Sequence, residues 1–226
     1  MKLFKEALIL ISLPLFILYS CVHDAEKYPI KGIDVSHYQK HIDWRSLEKD
    51  TSLQFVFIKA TEAHNFQDSL FSYNWAALAG SRLIRGAYHF FRPQVSPELQ
   101  ANNFIQTVKL DLGDFPPVLD IETLDGVSPK EVAEAAAIWL SFVETHYQVK
   151  PVIYSSMDFY EKYLKAKLSD YPCWIARYNY LEPDTKNWQF WQYSNQGHIK
   201  GIEGEVDLNV FYGTKKQLNK YTRTKN

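Results

Sequence analysis

Alternation between two kinds of segment constrains the fold of this chain more than any other feature of its sequence. Short runs rich in β-branched and aromatic residues stand at 30–35, 54–60, 83–90, 118–122, 151–154, 173–176, 188–193 and 205–211, each of strand length. Helical patterns separate the earlier runs, at 44–49, 69–80, 97–110, 129–147 and 157–165. The best specified of them opens on Ser128-Pro129-Lys130-Glu131, with Ser at the N-cap, Pro in the first turn and Glu placed to close a capping box. Strands alternating with helices predict a parallel sheet with right-handed crossovers, and eight strands predict its closure. The last third has little helix. The expected fold is therefore α/β, an irregular TIM-like barrel with eight strands and about five helices, in a single domain over 30–215 with a polar tail over 216–226.

A chain of 226 residues suits one such core. Its formal charge of −1 and lack of a basic patch argue against nucleic acid as a partner. No Gly-rich phosphate loop occurs, which argues against nucleotide chemistry. Aromatic residues make up 15% of the chain, a high share; much of it must be core, but aromatic faces in a cleft also suit sugar rings.

The first twenty residues differ in kind. Lys2 and Lys5 precede an uncharged run over 7–19, the layout of a secretory signal whose apolar stretch is short for a permanent membrane span. Leu18-Tyr19-Ser20-Cys21 resembles the lipobox of bacterial lipoproteins, which implies cleavage before Cys21, lipid on its thiol and a tether over 21–29. The expected location is the cell envelope, exported and membrane-anchored. Cys173 would then have no partner, so a buried, inert thiol is expected there.

At Pro117-Val118-Leu119-Asp120-Ile121-Glu122, two carboxylates follow an apolar strand at i and i+2. They share one face and lie roughly 7 Å apart at Cα. Adjacent acids at a buried strand end resist both ionisation and desolvation, which is expensive unless it serves chemistry. Barrels of this kind gather chemistry where strands end. Their ends here carry Asp34, Glu62, Tyr88, His89, Asp120, Glu122, Tyr154, Trp174, Arg177, Gln192 and Asp207.

In order along the chain stand Gly32-Ile33-Asp34-Val35-Ser36-His37-Tyr38-Gln39, Phe55-Val56-Phe57-Ile58-Lys59-Ala60-Thr61-Glu62, Gly86-Ala87-Tyr88-His89-Phe90-Phe91, the segment ending in Asp120 and Glu122, Trp174-Ile175-Ala176-Arg177-Tyr178, Trp191-Gln192-Tyr193 and Val206-Asp207-Leu208-Asn209. Together they resemble glycoside hydrolase family 25, the lysozyme-type muramidases, over residues 30–212. The resemblance implies hydrolysis of the β-1,4 bond between N-acetylmuramic acid and N-acetylglucosamine in the glycan strands of peptidoglycan. It places the catalytic acids at Asp34, Asp120 and Glu122, with Asp207 as a further acid in the pocket, and calls for no metal and no cofactor. A monomer is expected.

Glycoside cleavage needs one acid to protonate the leaving oxygen and another group to stabilise an oxocarbenium-like centre. Glu122, crowded by acids, is expected to hold its proton and act as general acid and later base. Asp120 is expected to stay ionised, either attacking carbon or orienting the substrate's 2-acetamido group to attack. Tyr88, Tyr154, Trp174, Trp191 and Gln192 are candidate sugar contacts; Glu62 is expected to pair with Lys59 or an arginine. Two rival readings are a metal-dependent carbohydrate deacetylase, built on His37, His41 and Asp34, and a glycan-binding lipoprotein without catalysis.

Overall fold

The computed structural model describes residues 24–179 and 181–223; the signal segment and Cys21 lie outside them. Nine strands run in chain order: β1 (Lys31–Val35), β2 (Leu53–Glu62), β3 (Phe66–Gln67), β4 (Ile84–Phe90), β5 (Val118–Asp120), β6 (Val152–Ser156), β7 (Cys173–Ala176), β8 (Trp188–Gly197) and β9 (Val206–Phe211). Eight of them close a barrel in the order β1-β9-β8-β7-β6-β5-β4-β2, with β2 returning to β1. The short β3 folds back on the end of β2 as a flap outside the ring.

Six neighbouring pairs are parallel, as the alternation predicts. Strand β9 departs from that expectation, running antiparallel to both β8 and β1. Only residues 198–205 join β8 to β9, too few for a crossover, so the chain turns back as a hairpin.

The helices pack outside: α1 (Trp44–Leu47), α2 (Phe71–Ala77), α3 (Pro97–Thr107), α4 (Pro129–Tyr147), α5 (Met157–Phe159), α6 (Lys165–Leu168) and α7 (Lys215–Lys220). One π-helical turn, Tyr160–Leu164, links α5 to α6. Helix α4 starts on the expected capping box between Ser128 and Glu131. Its Val132, Ala136, Trp139, Leu140 and Val143 are fully buried, a stripe at helical spacing. Burying each of the larger side chains stabilises the fold by about 1.5–3 kcal/mol.

Inside the barrel a second core forms from Phe55, Phe57, Phe115, Phe190 and Phe211 with Val118, Val152 and Trp174. Trp174 stacks on Phe57 at 4.4 Å between centroids. Opposite these rings β1 and β4 carry glycines: a Cβ on Gly32 would stand 2.4 Å from the Phe55 ring, and one on Gly86 2.6 Å from that of Phe57. The lower barrel is thus filled by ring against backbone.

Both ends of the described chain correct the sequence expectation. Within the expected tether, Asp24–Lys27 form a 3-10 turn with Ala25 buried, and Tyr28 sets its ring edge-on to Trp188 and Trp191. Apolar side chains hold this segment on the outer wall of β8. The expected polar tail forms α7, capped reciprocally by Thr214 and Gln217. Its Leu218 is fully buried, and Tyr221 packs beside it against the barrel-interior core. Thr214-Lys215-Lys216-Gln217 was the legible signal for this helix.

Candidate active site

Strand alternation carries β1 from Gly32, in register with Phe55 of the aromatic layer, to Asp34 one layer higher on the same face. Antiparallel pairing sets Asp207 of β9 directly across from it. Asp34 is buried, and its Oδ2 accepts hydrogen bonds from Gln192 Nε2 and Asn209 Nδ2, each at 2.8 Å. Those two amides are themselves oriented. Trp174 Nε1 donates to Asn209 Oδ1 at 2.7 Å, while the hydroxyls of Tyr154 and Tyr178 donate to Gln192 Oε1 at 2.7 and 2.6 Å. Burial, then the Asp207 charge, push Asp34 well above the usual carboxylate range despite the two amide donors. Burial also raises Asp207, moderated by its hydrogen bond with Asp34.

The second pair is Asp120, the last residue of β5, and Glu122 two residues beyond it. Asp120 is 4% exposed, and its Oδ1 is buried without a hydrogen-bond partner. Glu122, just past the strand end, is exposed to the cleft. Burial and then the Glu122 charge drive Asp120 well above the usual range. Glu122 is raised too, by burial first, with its contact to Asp120 and the Lys59 charge working against the shift. From the sequence, the raised proton affinity is expected at Glu122 and an ionised carboxylate at Asp120. The fold distributes the push differently, because the deeper of the two acids is the more desolvated.

Both pairs line one cavity of about 340 Å³. Tyr88, Tyr154, Trp174 and Gln192 border it, and Tyr88, pushed well up by burial and by the charges of Asp34 and Asp120, remains a hydroxyl donor. Trp191 does not belong there. It alternates outward between Phe190 and Gln192, is fully buried, and donates its Nε1 to the Arg177 carbonyl at 2.8 Å; it packs the outer wall. A wider groove of about 670 Å³ adjoins, lined by Met157, Asp158, Arg177 and Tyr178, and Glu122 belongs to both spaces.

Lys59, which the sequence offered only as a partner for Glu62, and Tyr178 also line the pocket, and Asn209 braces it through Asp34. Asn209 was within reach, since it lies two residues after Asp207 and so shares its face. Glu62 pairs with both Lys59 and Arg92, as the sequence allowed. The two imidazoles of the zinc reading do not converge with Asp34: His37 Nδ1 is held by Asp68 Oδ2 at 2.7 Å, and His41 stands edge-on to Tyr73. Cys173 is buried and free, its thiol pushed up to about 11 by desolvation.

Two acid pairs in a cleft with sugar-sized rings are the chemistry of glycoside hydrolysis, and known proteins agree. Residues 33–202 match the model of the glycosyl hydrolases family 25. The chain is 44% identical to protein YegX of Escherichia coli O157:H7, over 88% of this chain and 76% of that protein. It is 32% identical to lysozyme M1 of Streptomyces globisporus, over 86% of this chain and 71% of that protein. A solved family 25 glycosyl hydrolase from Bacillus anthracis superposes with a TM-score of 0.81 at 36% identity, covering 88% of this chain and 95% of that one. Sequence, barrel and paired acids converge, and the chain belongs to family 25 of the glycosyl hydrolases.

Proposed function

We propose that this glycoside hydrolase is a muramidase that cleaves the β-1,4 bond between N-acetylmuramic acid and N-acetylglucosamine in peptidoglycan, with Glu122 and Asp120 as its working pair. One observation carries the assignment of roles: the buried Asp120 Oδ1 has no partner, while Glu122 beside it opens to the cleft. An unsatisfied buried acceptor costs about 1–3 kcal/mol, which a substrate donor would relieve. The N–H of a 2-acetamido group is such a donor.

Glu122, between cavity and groove, protonates the leaving oxygen and then activates water from the same position. Asp120 orients the acetamido group so that its carbonyl oxygen attacks the anomeric carbon, and stabilises the positive charge that develops there. Direct attack by Asp120 is the second reading; the unpartnered Oδ1 and its depth in the pocket favour the substrate-assisted route. Asp34, fixed by Gln192 and Asn209, and Asp207 border the reacting sugar on the side opposite the working pair. Tyr88, Tyr154 and Trp174 supply its walls.

Peptidoglycan glycan strands are then the partner, and the enzyme works as a monomer. The signal over 1–20 and the lipobox-like Ser20-Cys21 support export and a lipid anchor on Cys21. No helix among the described residues is long and apolar enough to cross a membrane. Digestion of purified peptidoglycan with residues 22–226, followed by mass spectrometry, tests the reading. New N-acetylmuramic acid reducing ends are expected; N-acetylglucosamine reducing ends, or release of acetate alone, would overturn it.

A further inference from the structure

The cavity that holds Asp34, Asp120, Glu122 and Asp207 is lined by one cation among the described residues, Lys59. Its side chain is 10% exposed. On β2 it follows Phe55 and Phe57 at period 2, so the alternation that fills the lower barrel with rings delivers an ammonium one layer higher. Nζ donates to Glu62 Oε2 at 2.7 Å and lies 4.9 Å from the centre of the Phe90 ring. The other oxygen of Glu62 accepts from Arg92 Nε at 2.9 Å. Arg92 covers Phe90 at 4.7 Å and reaches Asp125 at 3.6 Å. Burial would raise Glu62, but its hydrogen bonds to Lys59 and Arg92 outweigh that and hold it ionised.

This ladder separates the charges in a useful way. Glu62 fixes the ammonium, yet Arg92 shares the Glu62 charge, so the end that faces the cavity stays positive. The reaction proposed above needs a carboxylate and a carboxylic acid side by side, whereas burial alone would protonate both.

We propose that Lys59 is a positioning residue for the Asp120–Glu122 pair, a clamped cation whose field keeps one of the two carboxyl groups ionised while the other holds its proton. The proposal rests on the muramidase reading of that pair. The charged groups around Lys59 are Glu62 on its own strand, Arg92 after β4 on the far side of Glu62, and the acids that line the same cavity, Asp120 and Glu122 at β5, Asp34 on β1 and Asp207 on β9; Tyr88 is its register partner on β4.

The test is the pH dependence of kcat/KM on peptidoglycan fragments for the wild type, Lys59→Met, Lys59→Arg and Glu62→Gln. Lys59→Met removes a positive charge, so both limbs of the profile should move to higher pH by roughly one unit. Lys59→Arg should keep both limbs in place and retain activity within about threefold. Glu62→Gln removes the compensating negative charge and should move both limbs to lower pH, a reading that survives even if Lys59→Met fails to fold. Stationary limbs in Lys59→Met and Glu62→Gln, with activity merely lowered, would overturn the proposal and leave Lys59 a direct substrate contact or a packing residue. An inactive wild type would instead count against the muramidase reading itself.

Discussion

Asp34 and Asp207 are cross-strand partners, one from the first strand of the barrel and one from the last, and the fold holds these two acids against each other at the bottom of the cleft. Like charges directly opposite on a sheet are destabilising. Their persistence here marks a site where stability yields to chemistry.

That opposition is measurable. Both acids are raised, so the folded state binds protons more tightly than the unfolded chain; the associated stability is full below the unfolded pKa and is lost as pH rises through the folded value. Asp207→Asn should therefore stabilise the protein by about 1 kcal/mol at pH 7 and give little gain near pH 3. Urea denaturation at the two pH values reads the difference, and equal effects at both would refute the charge-based account.

Glu122→Gln should reduce hydrolysis of peptidoglycan fragments by about 100- to 10,000-fold. An activated aryl glycoside, whose leaving group needs no proton, should recover the first step in that variant and leave Asp120→Asn unrescued. Rescue of Asp120→Asn instead would reverse the two roles.

His89 is fully buried, bonded through Nδ1 to Thr61 Oγ1 at 2.7 Å and through Nε2 to Gln100 Oε1 at 3.0 Å. Desolvation lowers its pKa to about 4, so the unfolded chain takes up this proton first. Its stabilising effect is complete above the unfolded value and disappears as pH falls from about 6.5 towards 4, by roughly 3 kcal/mol in the limit. His89→Gln should lack this component. The stability difference between wild type and variant should shrink across that window in thermal unfolding, and a constant difference would argue against a neutral buried imidazole.

Cys21→Ser should move the protein from membranes into the soluble fraction, since lipid on that thiol is its proposed hold on the bilayer. Unchanged partition of the variant after fractionation would remove the anchor.

Much of the fold was legible because barrel strands announce themselves by composition and period. The β5 segment and the α4 capping box fall where the residues put them. What escaped depended on facts beyond one segment. The reversal of β9 follows from a connection length and the strand already in place beside it. Trp191 has the right chemistry beside Gln192, yet the parity that sends Gln192 inward sends it out. The burial of Asp120 relative to Glu122 is a matter of depth, which spacing alone does not encode. Lys59 looked like the partner of Glu62, and only closure of the barrel reveals which carboxyl groups stand across from it.

Closure also sets a schedule. The strand that completes the ring is the last one made, and it docks beside the first across more than three quarters of the chain, as the Asp34 and Asp207 pairing shows. Contacts so distant in sequence form late and slowly. Until β9 arrives, β1 has an open edge, the cleft lacks Asp207 and Asn209, and Asp34 has one amide donor instead of two. The hydrolytic pocket is therefore the last part of the barrel to be assembled, and a chain that lacks β9 has the paired acids of β5 without the Asp34–Asp207 pair opposite them.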